Sequence, residues 1–136
     1  MYLTSTRPNI MYGVCLIARF MDSPKDSHWK TSKIILRYVS GTKDFGIVYS
    51  TIENFKLDGY TDSDCGGSID DRKSTYGYIF HYGTCIVSWA SRKEPIVILS
   101  SKKAEYVATT NVVCQAIWMR RMWNHLVQCQ EESTVI

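Results

Sequence analysis

The chain has 136 residues, 45% of them apolar and 21% charged, a balance that fits one ordinary soluble domain. Its formal net charge is +3 and its isoelectric point about 8.6. That is compatible with a nucleic-acid partner without identifying one. No window approaches 18 uninterrupted apolar residues, which excludes a membrane-spanning helix by pattern.

The first twenty residues carry Arg7, Pro8, Asn9 and Arg19 in place of a basic start and an apolar run, so a secretory signal is not expected. Five scattered cysteines (15, 65, 85, 114 and 129) form no CxxC or Cys/His cluster with metal spacing. They read as reduced thiols of an intracellular, cytoplasmic or nuclear, protein.

Two helices come first. "RPNIMYGVCLIARFM" has Pro8 near a first turn and Ile10, Val14 and Ile17 at helical spacing. "SPKDSHWKTSKIILRYVSGT" offers Ser23 as N-cap, Pro24 at the first helical position and Gly41 as the stop. In it Lys30, Lys33 and Arg37 share one face, with Trp29, Leu36 and Val39 assigned to another. The basic face reads either as a solvated face or as one that contacts a nucleic-acid duplex.

The period then changes. "FGIVYS" and "FKLDGYTDSD" read as strands, separated by the polar break Thr51–Asn54. "STYGYIFHY", Gly83 and "CIVSWASRK" read as a hairpin. "SSKKAEYVATTNVVCQAIWMRRMWNHLVQ" is a long helix capped by Ser100 or Ser101. Ala108, Val112, Ala116, Met119 and Trp123 are placed on the face of Glu105, and the nearly all-apolar second half is expected to be buried on more than one side. The order α-α-β-β-β-β-α favours an antiparallel α+β arrangement.

The chain has no P-loop, nucleophile elbow, GxGxxG or HExxH pattern. His28, His81 and His125 are isolated, and Trp89, Trp118 and Trp123 are most simply core. What remains is carboxylate chemistry. In "GYTDSDCGG", Asp62 and Asp64 lie two apart and so share a strand face. They are either the polar opening of a turn or metal ligands. Metal-assisted phosphodiester hydrolysis needs several carboxylate oxygens on Mg²⁺, and an Asp on a strand beside a Glu on a packed helix is one way to supply them. A Glu on a buried stripe must be paired, protonated or metal-bound, which links Glu105 to Asp62.

Three stretches carry a family resemblance. "MYLTSTRPNIMYGVCLIARFMDSPKDSHWKTSKIILRYVSGTKDFGIVY" resembles "LTxTRPDI" and "HWxAxKRILRYLKGTxDxGL". "GYTDSDCGGSIDDRKSTYGYIF" resembles "GYsDaDwAGdxddRkSTsGYvF". "IVSWASRKEPIVILSSKKAEYVA" resembles "xiSWxSkKQxxvalSSxEAEYxA". All three patterns belong to the Pol polyproteins of copia-type (Ty1/copia) LTR retrotransposons, and the match covers about residues 1–126.

The resemblance implies a reverse transcriptase connection segment over residues 1–50, a ribonuclease H-like domain over 51–127 and an unmatched tail over 128–136. The implied fold is a partial ribonuclease H-like α+β fold, with antiparallel strands over about 56–92 and the first core helix laid on them. Asp62 matches the first metal-binding aspartate and Glu105 the helix glutamate, as catalytic and metal residues. Asp64 matches a recurrent acidic neighbour, not a ligand. The implied cofactor is Mg²⁺ or Mn²⁺, and the implied substrate is the RNA strand of an RNA–DNA hybrid, read by shape and 2′-hydroxyl.

The sequence departs from the pattern. A "CDN" strand with a third aspartate and a later fourth ligand do not occur in the 136 residues, which implies an inactive remnant. Lys102 and Lys103 bring positive charge to the helix start, against the macrodipole. Cys65 stands where the family usually has Trp. Self-association through an uncovered sheet edge is expected. The alternatives are a module completed by another chain, a non-catalytic nucleic-acid binder using Lys30, Lys33 and Arg37, and a host-directed effector. No Arg-x-Leu-Arg motif supports the last.

Overall fold

A computed structural model describes residues 2–50, 56–64, 66–68, 71–126 and 134–136. The chain divides into two compact units, Met1–Val48 and Tyr49–Ile136.

The first unit is helical. Helix α1 spans Tyr2–Thr6, a 3₁₀ turn Pro8–Ile10, α2 Met11–Ala18 and α3 Asp26–Gly41. The first predicted helix is thus divided, with Pro8 starting the 3₁₀ turn. Gly13 lets α2 approach α3: a methyl group there would come 3.1 Å from the Ile35 side chain. Phe20 stacks on His28 with ring centroids 4.2 Å apart. The Arg7 guanidinium donates to the Thr42 carbonyl oxygen at 2.8 Å and to its hydroxyl at 2.9 Å, fixing the end of α3.

The start of α3 differs from the reading of Ser23 and Pro24. Lys25 precedes the helix, and its N–H donates to His28 Nδ1 at 3.1 Å. The Lys25 carbonyl in turn accepts from the His28 and Trp29 amides. This reciprocal pairing sets the first turn two residues later than the Ser-Pro signal. Gly41 is the last helical residue and Thr42 follows as the cap.

The second unit is a three-stranded antiparallel sheet in the order β1 (Leu57–Ser63), β2 (Lys73–Tyr82), β3 (Cys85–Val97), covered by α4 (Ser101–Leu126). The α+β class holds. The predicted strand "FGIVYS" does not: residues 45–50 are irregular, with Phe45, Val48 and Tyr49 exposed. Aromatic and β-branched residues without a neighbouring strand do not make one. The polar break at 51–54 lies outside the described residues, as does Cys65.

The hairpin turns at Gly83 and Thr84, between the register partners Tyr82 and Cys85. Gly83 has φ +55°, the first-position requirement of a type II′ turn. Strand alternation puts Leu57, Gly59, Phe80 and Tyr82 on one face. There they form the core with Val112, Ala116 and Met119 of α4.

Only one side of α4 is buried, at Ala104, Ala108, Val112, Ala116 and Met119. Val113, Ile117, Trp118 and Met122 are exposed, against the expectation of burial on several sides. The helix lies on one face of the sheet, so among the described residues only the side turned to it has a partner. Trp118 is therefore not core, while Trp123 is half-buried against Tyr82.

Candidate metal-ligand pair and basic helix face

β1 and the long helix place Asp62 and Glu105 at the same end of the sheet. β3 ends at Val97, the register partner of Lys73 at the start of β2, near the Ser63–Tyr76 pair. Helix α4 begins four residues later, at Ser101. Ser100 caps it, accepting from the Lys103 N–H at 3.3 Å. Its far end lies over the start of β1: Trp123 stacks on Tyr82, the partner of Leu57, at 4.7 Å.

Asp62 is exposed near the end of β1, on the opposite pleat to Leu57 and Gly59 and so away from the α4-covered face. Its carboxylate has no hydrogen bond or ion pair among the described residues. Glu105 is exposed as well, which corrects its assignment to the core stripe. Ala104 leads that stripe, at four-residue steps through Ala108, Val112 and Ala116. One residue turns a helix by about 100°, so Glu105 is carried off the packed face. Lys102 and Lys103 are exposed beside it in the first turn.

Asp64 has a different task. Its carboxylate accepts the Thr75 N–H, and its own N–H donates to the Thr75 carbonyl at 3.0 Å. It closes the loop that joins β1 to β2. Gly66, at φ +65°, donates its N–H to the buried Ser74 hydroxyl at 3.1 Å in the same loop. Beside it the Asp71 carboxylate meets Lys93 Nζ at 2.7 Å. The Lys93 ammonium, with the Ser68 hydroxyl, holds Asp71 well below the usual carboxylate range. Among the described residues no three His, Cys, Asp or Glu side chains gather with metal-binding geometry. Asp62 and Glu105 alone fall short of the octahedral oxygen set that Mg²⁺ demands, even with bound waters, in a two-ion arrangement.

Among the described residues one carboxylate of the same unit lies buried. Glu94 on β3 is 3% exposed, and its Oε1 has no hydrogen-bond partner among them. Burial pushes its pKa up.

In the first unit Lys30, Lys33 and Arg37 are all exposed on α3. The assignment of Trp29 and Leu36 to a packed face is corrected: each is 59% exposed. Val39 and Ile35 do face inward, half-buried. Trp29, Lys33 and Arg37 stand at four-residue steps, the spacing that should have placed the tryptophan on the basic face. Lys33 Nζ lies 5.1 Å from the centre of the Trp29 ring.

Among the described residues no helix is long and apolar enough to cross a membrane. No protein-family model matches the chain, and no solved structure matches it. The curated relatives are informative. The chain is 38% identical over 133 residues, 98% of its length, to a retrovirus-related Pol polyprotein from transposon TNT 1-94 of Nicotiana tabacum. It is 39% identical over 118 residues, 87% of its length, to the retrovirus-related Pol polyprotein from transposon RE2 of Arabidopsis thaliana. The chain spans 10% and 8% of those two polyproteins. It is also 37% identical over 120 residues to the secreted RxLR effector protein 161 of Plasmopara viticola, covering 88% of the chain and 84% of that protein. The match to the tobacco transposon runs past the three motif-bearing stretches into the tail. On these relationships the chain belongs to the family of retrovirus-related Pol polyproteins of copia-type transposons.

Proposed function

We propose that the chain corresponds to the reverse transcriptase connection and the first part of the ribonuclease H-like domain of such a polyprotein. The parent activity is metal-dependent endonucleolytic cleavage of RNA in RNA–DNA hybrids, with Mg²⁺ or Mn²⁺. The 136 residues by themselves do not hold the metal productively and do not cleave. The observation that carries this reading is an exposed Asp62 at the same sheet end as Glu105, with neither a partner for Asp62 nor a third ligand gathered there among the described residues.

The edge of β1 supports it. Val135 bridges Asp58 in parallel, and the Gly59 N–H donates to the Val135 carbonyl at 2.7 Å. Partners in a parallel ladder advance together. A strand continuing from this bridge would come beside Asp62 four residues later. That is a position from which a further carboxylate reaches the site.

The test uses two polypeptides: these 136 residues, and the same residues extended by those that follow the matched stretch in the tobacco polyprotein. With Mg²⁺ and a labelled RNA–DNA hybrid, the extended chain cleaves and Asp62→Asn abolishes cleavage. The shorter chain is inert. Asp62-dependent cleavage by the shorter chain overturns the proposal.

A second reading, binding without cleavage, is favoured by the exposed Lys30, Lys33 and Arg37, which have no ion pair among the described residues.

A further inference from the structure

The net positive charge of the molecule resides in one unit. Residues 1–48 contain seven Lys and Arg against three Asp, a net +4. The whole chain is +3, so residues 49–136 are at −1. Three of the seven cations lie on one exposed side of α3, as Lys30, Lys33 and Arg37. That side also presents Trp29 and Leu36 to solvent, each 59% exposed. A tryptophan left in water on a helix that had apolar positions to spare calls for a flat, apolar partner. Lys33 and Arg37 at four-residue steps from it, with Lys30 next to it in the chain, call for a row of negative charges. A nucleic-acid strand with unpaired bases offers both, because every base has a face to stack and every linkage a phosphate. A duplex offers the phosphates and hides the base faces. Lys33, held over the ring at 5.1 Å, keeps the tryptophan oriented while its charge remains available.

We infer that this face of α3 binds single-stranded nucleic acid, with Trp29 stacking on a base and Lys30, Lys33 and Arg37 tracking the phosphates. This rests on the reading of the three cations as nucleic-acid contacts and adds the strand type and the stacking residue. It is independent of any cleavage.

The experiment measures fluorescence anisotropy of an oligothymidylate of about 12 nucleotides. An RNA–DNA hybrid of equal length and vesicles containing anionic lipid are titrated in parallel. The single strand binds more tightly than the hybrid. Trp29→Ala weakens single-strand binding about tenfold and leaves the salt dependence unchanged. Trp29→Phe recovers most of the loss. Replacing Lys30, Lys33 and Arg37 together with Gln lowers the slope of log affinity against log salt by about 2, at roughly 0.7 per phosphate contact. Circular dichroism of each variant checks that the helix persists, and Lys33→Gln alone serves if the triple variant loses it.

Wild-type binding by Trp29→Ala, or tighter binding of the hybrid, overturns the inference. If the cation variants still lose affinity in that case, the reading of the basic face survives. If they do not, that reading falls too. Binding to anionic vesicles without binding to either nucleic acid overturns both, and marks an amphipathic membrane-surface helix.

Discussion

Gly59 on β1 and Phe80 on β2 are register partners, and the phenyl ring lies over the glycine so closely that a methyl group there would come 2.6 Å from Phe80 Cε1. Phe80 is fully buried and central to the contact between sheet and helix. Gly59→Ala therefore displaces the ring from the core. Overpacking of this kind costs about 1–3 kcal/mol. The melting temperature, followed by circular dichroism, should fall by several degrees, and Phe80→Ala should fall further through the cavity it leaves.

Asp62 and Asp64 should separate cleanly in a denaturation experiment. Asp64→Ala removes the acceptor for the Thr75 N–H, a charge-assisted bond worth about 1.5–3 kcal/mol when exposed groups are not rehydrated and less where water replaces it. Asp62→Asn changes an exposed side chain without a partner among the described residues, so urea unfolding should move by no more than about 0.5 kcal/mol. Equal effects from the two substitutions would remove the distinction between loop-closing and free aspartate.

Glu94 gives the fold a pH dependence. Its folded-state pKa is raised by burial above the ordinary value of 4.5. The folded state therefore holds its proton where the unfolded state has released it. Stability falls as pH rises through the ordinary carboxylate range and levels off above the folded value. Glu94→Gln keeps the shape and removes the ionisation. The variant should be more stable than wild type at pH 7, and the gap should close near pH 4. The resembling family pattern carries Gln at this position. A gap of constant size from pH 4 to pH 8 would assign the effect to packing.

Chelation gives a fourth check. If Asp62 and Glu105 are the ligands, as proposed, and no third carboxylate joins them among the described residues, the 136-residue chain gains no appreciable stability from Mg²⁺. Millimolar Mg²⁺ or excess EDTA should leave its melting curve in place. A clear upward shift, which mass action requires of a metal bound to the folded state, would mean a more complete site.

Much of the second unit was legible because its pattern has period two and ends in a glycine turn. Tyr76, Tyr78, Phe80 and Tyr82 alternate along β2 and all lie on the helix-covered face. "FGIVYS" shares that composition and forms no strand, since composition cannot supply a neighbour. On helices the errors were angular. Reading Glu105 in place of Ala104 as the start of the stripe shifted the face by one residue. Placing Trp29 away from Lys33 ignored a four-residue step. The candidate site was legible only through family motifs. The different tasks of Asp62 and Asp64 depend on a hydrogen bond to Thr75, eleven residues further on, which no local pattern encodes.

The bridge between Asp58 and Val135 also governs the order of folding. The β2–β3 hairpin closes locally, while this pairing joins positions 77 residues apart and requires the chain to pass along α4 first. Distant contacts form late, because loop closure must precede them. During synthesis β1 emerges early, and its outer amides and carbonyls wait through the translation of two more strands and a 26-residue helix. For that interval the strand is a template for any extended segment nearby, including the same strand on an adjacent nascent chain. Yield of monomer should therefore respond to expression rate and temperature more steeply than equilibrium stability alone would suggest.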